Sequence, residues 1–148
     1  MINSSTRWMP ALLVLSTLAT AQALANDQDG QKQQTLQCFA MSEQGVPVTV
    51  STPISQSAGS FVSDIAIYLG QAGSTTLART ITQQEILGYF VGHGIISLSA
   101  VDSETQEEVL LIKDGQDLDP FNRRMILNLP GATLNTEDFR CDVIDVQG

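Results

Sequence analysis

The sequence has little of the chemistry that enzymes commonly use. Its 148 residues include one histidine, His93, and no G-x-S-x-G, H-E-x-x-H or G-x-x-x-x-G-K-[ST] motif. The missing motifs leave no sequence evidence for a nucleophile elbow, a zinc protease site or a P-loop. Tryptophan occurs once, at Trp8, and aromatic residues make up 5% of the chain, which argues against an aromatic-rich sugar-binding surface.

Basic residues are also scarce. The chain has 7 Lys+Arg against 16 Asp+Glu, a formal net charge of −9 and a pI near 4.2. Binding to nucleic acid phosphates needs a clustered excess of lysine and arginine, so this composition argues against a nucleic-acid partner. The length and the 43% of hydrophobic residues suit one domain with one core.

Long apolar runs are absent outside the first residues. The run from Trp8 to Leu18 is shorter than the roughly 20 residues that span a bilayer. Small residues for a signal peptidase follow at Ala23-Leu24-Ala25. We therefore interpret residues 1–25 as a signal peptide rather than a membrane anchor, because polar sequence follows at once. Residues 26–34 read as a disordered polar leader. The alanine-rich signal is typical of a bacterial protein that is periplasmic or secreted.

Two cysteines, Cys38 and Cys141, lie near the two ends of the chain that would remain after export. An even pair in an exported small domain favours a disulfide. Two free thiols or a metal pair are the alternatives, but no C-x-x-C motif supports them. A Cys38–Cys141 bond requires the first and last strands to be neighbours or to face each other across a core.

After residue 34 the pattern is almost entirely that of β-strands. Alternation of apolar residues between Phe61 and Leu69 predicts a half-buried strand. Gln83 to Leu87 fits a helical turn or a continued strand. The sequence predicts an all-β single domain over residues 35–148, an antiparallel β-sandwich or small β-barrel of about eight strands. These strands are expected within 35–41, 46–50, 61–69, 75–82, 89–101, 107–113, 123–129 and 138–146.

His93 lies between Gly92 and Gly94 inside the long β-rich segment, and the glycines predict a bulge or a sharp bend there. One hypothesis makes His93 a binding residue, a general base or a lone metal ligand. The other makes it a strand histidine at a bulge.

A loop after the predicted strand 107–113 offers a calcium hypothesis. Asp114, Asp117 and Asp119 place three carboxylates within six positions, and calcium takes six to eight oxygen ligands. The spacing differs from that of an EF-hand, and aspartate is also common in ordinary β-connections. The acidic residues around Glu107 and Glu108 are interpreted as a solvated hairpin tip. No cofactor is expected.

The sequence predicts an exported acidic β-domain that acts by binding rather than by catalysis. Its net charge would steer it towards cationic protein partners. A signal peptide, one disulfide and a compact acidic β-domain together look like the layout of small periplasmic lysozyme inhibitors, which implies a lysozyme-type partner. The alternative is a structural or assembly component of the cell envelope or surface, with edge strands that pair with a neighbour. An enzyme would need His93 or the aspartate loop to line a pocket.

Overall fold

The fold consists of antiparallel β-strands, as described by a computed structural model that covers residues 33–55, 61–71, 73–115 and 123–146. Within these ranges the chain forms eleven strands and no helix, so the expectation of about eight strands is wrong in number. The strands are β1 (Gln34–Met41), β2 (Pro47–Ser55), β3 (Phe61–Val62), β4 (Ile65–Leu69), β5 (Thr76–Ile81), β6 (Ile86–Gly92), β7 (Ile95–Val101), β8 (Glu108–Gly115), β9 (Arg124–Leu129), β10 (Ala132–Thr136) and β11 (Phe139–Asp145).

The strands form two sheets. The first sheet has the order β11-β1-β2-β4-β5, with β3 also paired to β2, and the second has the order β10-β9-β8-β7-β6. The second sheet is one meander, in which each strand pairs with the next along the chain. Buried side chains of both sheets belong to one hydrophobic cluster, which confirms an all-β chain built around a shared core. The largest fully buried side chains are Leu36, Ile65, Ile67, Ile81, Leu98, Leu110, Ile112, Met125, Leu127 and Leu134.

Two of the three extra strands arise because predicted segments are divided, and the third lies in a stretch that was predicted to be a connection. The segment 61–69 is split into β3 and β4, although Ile65 and Ile67 are fully buried, as the alternation predicted. The segment 89–101 turns back on itself at His93-Gly94 and becomes β6 and β7. A two-residue turn at Pro130-Gly131 adds β10, and a positive φ of 78° at the glycine fits this tight reversal.

Two further boundaries can be compared with the sequence predictions. Residues 1–32, with the predicted signal peptide and most of the predicted leader, lie outside the described residues, whereas Gln34 already belongs to β1. Gln83 to Glu85 form a turn, and strand β6 begins at Ile86. In the described part of the chain, no helix has the length and apolar character needed to cross a membrane.

The predicted disulfide joins two neighbouring strands of the first sheet. Cys38 of β1 and Cys141 of β11 lie directly opposite each other, with Cα atoms 4.0 Å apart and a sequence separation of 103. Of the two geometries left open by the sequence, the structure has adjacent strands. Cys38 is fully buried in the common core, so the bond lies at the inner face of the sheet. Such a bond is compatible with an oxidising compartment.

Removing this bond should destabilise the protein strongly. Because the bond closes a loop of 103 residues, the chain-entropy account predicts a loss of about 4 to 5 kcal/mol of unfolding free energy for the double variant Cys38→Ala/Cys141→Ala. Urea denaturation with and without reductant measures the loss. The variant should not respond to reductant. Two alkylatable thiols in the oxidised native protein would contradict the assignment.

Candidate functional site

His93 occupies the first position of the two-residue turn between β6 and β7. Gly92 and Ile95 pair across the turn, and His93 and Gly94 have φ angles of 53° and 75°. Two consecutive positive φ angles define a type I′ turn, which matches the twist of the flanking strands and is usually made by Asn-Gly. His93 is therefore an exposed residue at the tip of a hairpin and not a strand residue at a bulge.

The tip of this hairpin forms one wall of a cleft of about 540 Å³. The opposite wall comes from β11, with Cys141 and Val143, and the end of β8 contributes Asp114. The cleft thus brings together His93, Asp114 and the disulfide, which the sequence singled out separately. Its remaining described lining is apolar or glycine, including Val91, Ile95 and Ile96. Its described polar side chains are thus one imidazole and one carboxylate.

Asp114 already has a cationic partner. Arg123 donates from Nε to Asp114 Oδ1 at 3.1 Å. The same guanidinium lies 4.7 Å above the centre of the Phe139 ring and donates through Nη2 to the Phe139 carbonyl oxygen. Arg123 thereby joins the end of β8 to the start of β11. The charge of Asp114 is balanced by this contact.

The calcium hypothesis is tested only at one of its three carboxylates. Asp117 and Asp119 lie outside the described residues, and Asp114 pairs with arginine. Across the described ranges, no three histidine, cysteine, aspartate or glutamate side chains are placed to hold a metal ion. Because two of its three carboxylates lie outside the described residues, the calcium hypothesis stays a prediction.

The second candidate is the connection between β7 and β8, residues 102–107, which we call the acidic loop. Asp102 Oδ1 accepts hydrogen bonds from the backbone N–H groups of Glu104 and Thr105, at 2.8 and 3.0 Å. The backbone N–H of Gln106 donates to the Asp102 carbonyl at 2.9 Å. These contacts fix the loop conformation, in which the side chains of Glu104 and Glu107 are exposed.

The buried carboxylate of Glu85, which sequence reasoning missed, accepts hydrogen bonds from the acidic loop. Glu85 is 7% exposed and accepts from the Thr82 backbone N–H at 3.0 Å and from the N–H of Ser103 at 3.4 Å. Arg79 donates to Glu85 from Nη2 and to Asp102 from Nη1, each at 2.8 Å. Arg79 therefore ties β5 of the first sheet to the acidic loop of the second. The T-x-x-E spacing from Thr82 to Glu85 is the capping-box signal that could have located it.

Hydrogen bonds in this network favour the ionised carboxylates. The backbone N–H of Thr82 lowers the pKa of Glu85 below its usual value, against the opposing effect of burial, and Ser103 and Arg79 lower it further. The backbone N–H groups of Thr105 and Glu104, followed by Arg79, lower the pKa of Asp102 to about 2. Both carboxylates therefore remain negative throughout the physiological pH range.

Comparison with known proteins adds no assignment: no family model, no curated protein and no solved structure matches this chain.

The turn at His93 leads to a stability prediction. Because asparagine adopts positive φ angles more readily than histidine does, His93→Asn should raise the unfolding free energy by about 0.5 kcal/mol. The matched variant His93→Val should lower it by about 1 to 2 kcal/mol, since β-branched residues are strained at positive φ. Urea denaturation of both variants measures the difference. A loss of stability in His93→Asn would mean that the imidazole makes contacts that outweigh backbone preference.

The Asp102 contacts predict an acid-dependent loss of stability. The pKa of this carboxyl is about 2 when folded, against an ordinary value of 3.8. The unfolded chain thus binds a proton first, and the stabilisation present at neutral pH is lost as the pH falls from about 5 to about 2. Asp102→Asn can still accept the loop hydrogen bonds but does not titrate, so its unfolding free energy should fall less steeply over that window. Urea denaturation at a series of pH values tests this, with Glu104→Gln as the control. Equal slopes in wild type and Asp102→Asn would contradict the prediction.

Proposed function

We propose that this chain is an exported, non-enzymatic β-domain that acts by binding a cationic protein. The observation that carries the proposal is the acidic loop, whose exposed glutamates project from a backbone held by Asp102, Glu85 and Arg79. A loop that is ordered before binding loses little conformational entropy on contact, which favours affinity. The net charge of −9 adds long-range attraction for a positively charged partner.

The internal ion pairs strengthen this argument. Arg79, Arg123 and Arg140 each pair with a carboxylate of the same chain. Their charges are thus already balanced within the fold, and the acidic loop presents Glu104, Glu107 and the adjacent Glu108 as exposed carboxylates. A basic enzyme such as a lysozyme-type enzyme has the charge that complements this surface. We therefore take inhibition of such an enzyme as the concrete form of the proposal.

We also propose that the two sheets face each other as a β-sandwich. Three cross-connections support it besides the common core: Arg79 to Asp102, Arg123 to Phe139, and the contact between Glu43 and Thr133. They join the two sheets at three separate places. This arrangement would leave the acidic loop at one end of the second sheet and the His93 hairpin tip at the other.

The test removes three negative charges at the acidic loop and compares that variant with a second variant of the same net charge. The triple change Glu104→Gln, Glu107→Gln and Glu108→Gln should weaken binding to a cationic lysozyme about tenfold, since each exposed ion pair contributes about 0.2–1 kcal/mol. The control changes Glu43→Gln, Glu137→Gln and Asp138→Asn remove the same charge from exposed positions elsewhere. Isothermal titration calorimetry or surface plasmon resonance measures the affinity of both variants for the lysozyme, and the control variant should bind nearly as tightly as wild type does.

Two results would contradict the proposal at different levels. Equal weakening by both triple variants would show that overall charge acts without a specific contact at the acidic loop. Full lysozyme activity in the presence of roughly tenfold excess of this protein would reject the lysozyme form of the proposal. A pull-down from envelope and medium fractions, scored for basic proteins, then tests other cationic partners.

A further inference from the structure

Two cations of the second sheet have no carboxylate partner in the part of the chain that the structure describes. Of the lysine and arginine residues in that part, Arg79, Arg123 and Arg140 each form an ion pair. The other two are Lys113 of β8 and Arg124 of β9, which lie directly opposite each other in the register of the two strands. The positive charges that this acidic chain leaves unpaired there are thus side by side.

Both side chains point away from the hydrophobic core. Ile112 and Met125, their neighbours along the strands, are fully buried, and successive residues of a strand face opposite sides of a sheet. Lys113 and Arg124 are accordingly exposed. Residues directly opposite on adjacent strands have Cβ atoms about 4.5 to 5.5 Å apart, and like charges at such positions destabilise a sheet. A bound group of negative charge would remove this repulsion.

The same row of the sheet continues with a hydroxyl group and an aromatic ring. Ser97 of β7 is directly opposite Lys113, and Phe90 of β6 is directly opposite Ser97, so all of them share the outer face. Phe90 is 44% exposed, and its ring lies over Gly92, where an added Cβ would be 3.8 Å from the Phe90 Cζ atom. The outer face therefore places an aromatic ring, a hydroxyl and two cations across four adjacent strands.

The described carboxylates do not neutralise the two cations. Asp114 faces the other side of β8 and pairs with Arg123. Glu108 lies at the far end of β8, roughly 15 Å along the strand, which exceeds the Debye length of about 8 Å at physiological salt. Glu137 follows β10, the strand paired with β9, but it forms no ion pair with Arg124. The two cations therefore keep a local positive potential in a chain that is negative overall.

We propose that Lys113 and Arg124 bind the phosphate group of a small phosphate monoester whose apolar part contacts Phe90. A phosphate monoester carries a charge of about −1.5 to −2 at neutral pH, so it can balance both cations, whereas one carboxylate balances only one. The arginine fork binds two phosphate oxygens at once, and the lysine ammonium acts as a second point charge. The Ser97 hydroxyl adds a donor in the same row.

The charge of the rest of the protein limits the ligand to a small molecule. A nucleic acid or an anionic membrane would cover surface beyond this row, and the net charge of −9 would repel it. A small monoester contacts only the row itself, and charges more than a Debye length away are largely screened. The acidic loop is a different part of the sheet, so this site does not depend on the partner proposed above.

Titration of the intact oxidised protein with phenyl phosphate, followed by heteronuclear NMR, tests the proposal. The amide signals of Ser97, Lys113 and Arg124 should shift, with a dissociation constant of about 1 mM or below. Inorganic phosphate lacks the ring and benzoate carries a single charge, so each should bind several times more weakly. Absence of a shift at these amides up to about 10 mM phenyl phosphate would overturn the proposal. Benzoate that binds as tightly as phenyl phosphate would reject the phosphate assignment, and inorganic phosphate that does so would reject the contact with Phe90.

Charge variants separate a specific site from an effect of net charge. Lys113→Gln and Arg124→Gln should each raise the dissociation constant about tenfold, because each removes a charge-assisted contact. Arg140→Gln is the matched control, since it removes the same charge from an exposed position of the first sheet and should bind as wild type does. Glu137→Gln should bind at least as tightly as wild type, because it removes a negative charge. Equal weakening by Arg124→Gln and Arg140→Gln, or weakening by Glu137→Gln, would overturn the proposal. Circular dichroism and urea denaturation confirm that the variants fold.

Discussion

The pairing of β1 with β11 is the constraint on which the rest of the structure depends. Strands β6 to β10 form the second sheet in sequence order, so the chain must leave the first sheet after β5 and return to it as β11. The Cys38–Cys141 bond fixes the place of return, since the two residues are exact partners in the register. The cleft depends on the same constraint, because its outer wall is the part of β11 around Cys141 and Val143.

Arginine contacts, like the disulfide, join elements that are distant in sequence. Arg79 joins β5 to the acidic loop, and Arg123 joins the end of β8 to the start of β11. Both lie where an element of one sheet meets an element of the other. The chain has 16 acidic residues, so Arg79 and Arg123 reduce the electrostatic repulsion between carboxylates where elements of the two sheets meet. Exposed carboxylates then remain at the surface, among them those of the acidic loop, whose backbone is held by internal hydrogen bonds.

Sequence reasoning succeeded where a local pattern determines the structure. Alternation identified the inward face of β4 at Ile65 and Ile67, and the even pair of cysteines in a small exported domain predicted the disulfide. It undercounted the strands for two reasons: His93-Gly94 is a complete two-residue turn rather than a bend within one segment, and the residues after Pro130-Gly131 form β10 rather than a connection. Sequence reasoning missed the role of Glu85 because Glu85 contacts Arg79 and Ser103, and no local pattern predicts those two contacts. Likewise, His93 and Asp114 are 21 positions apart, and only the pairing of β7 with β8 brings them to one cleft.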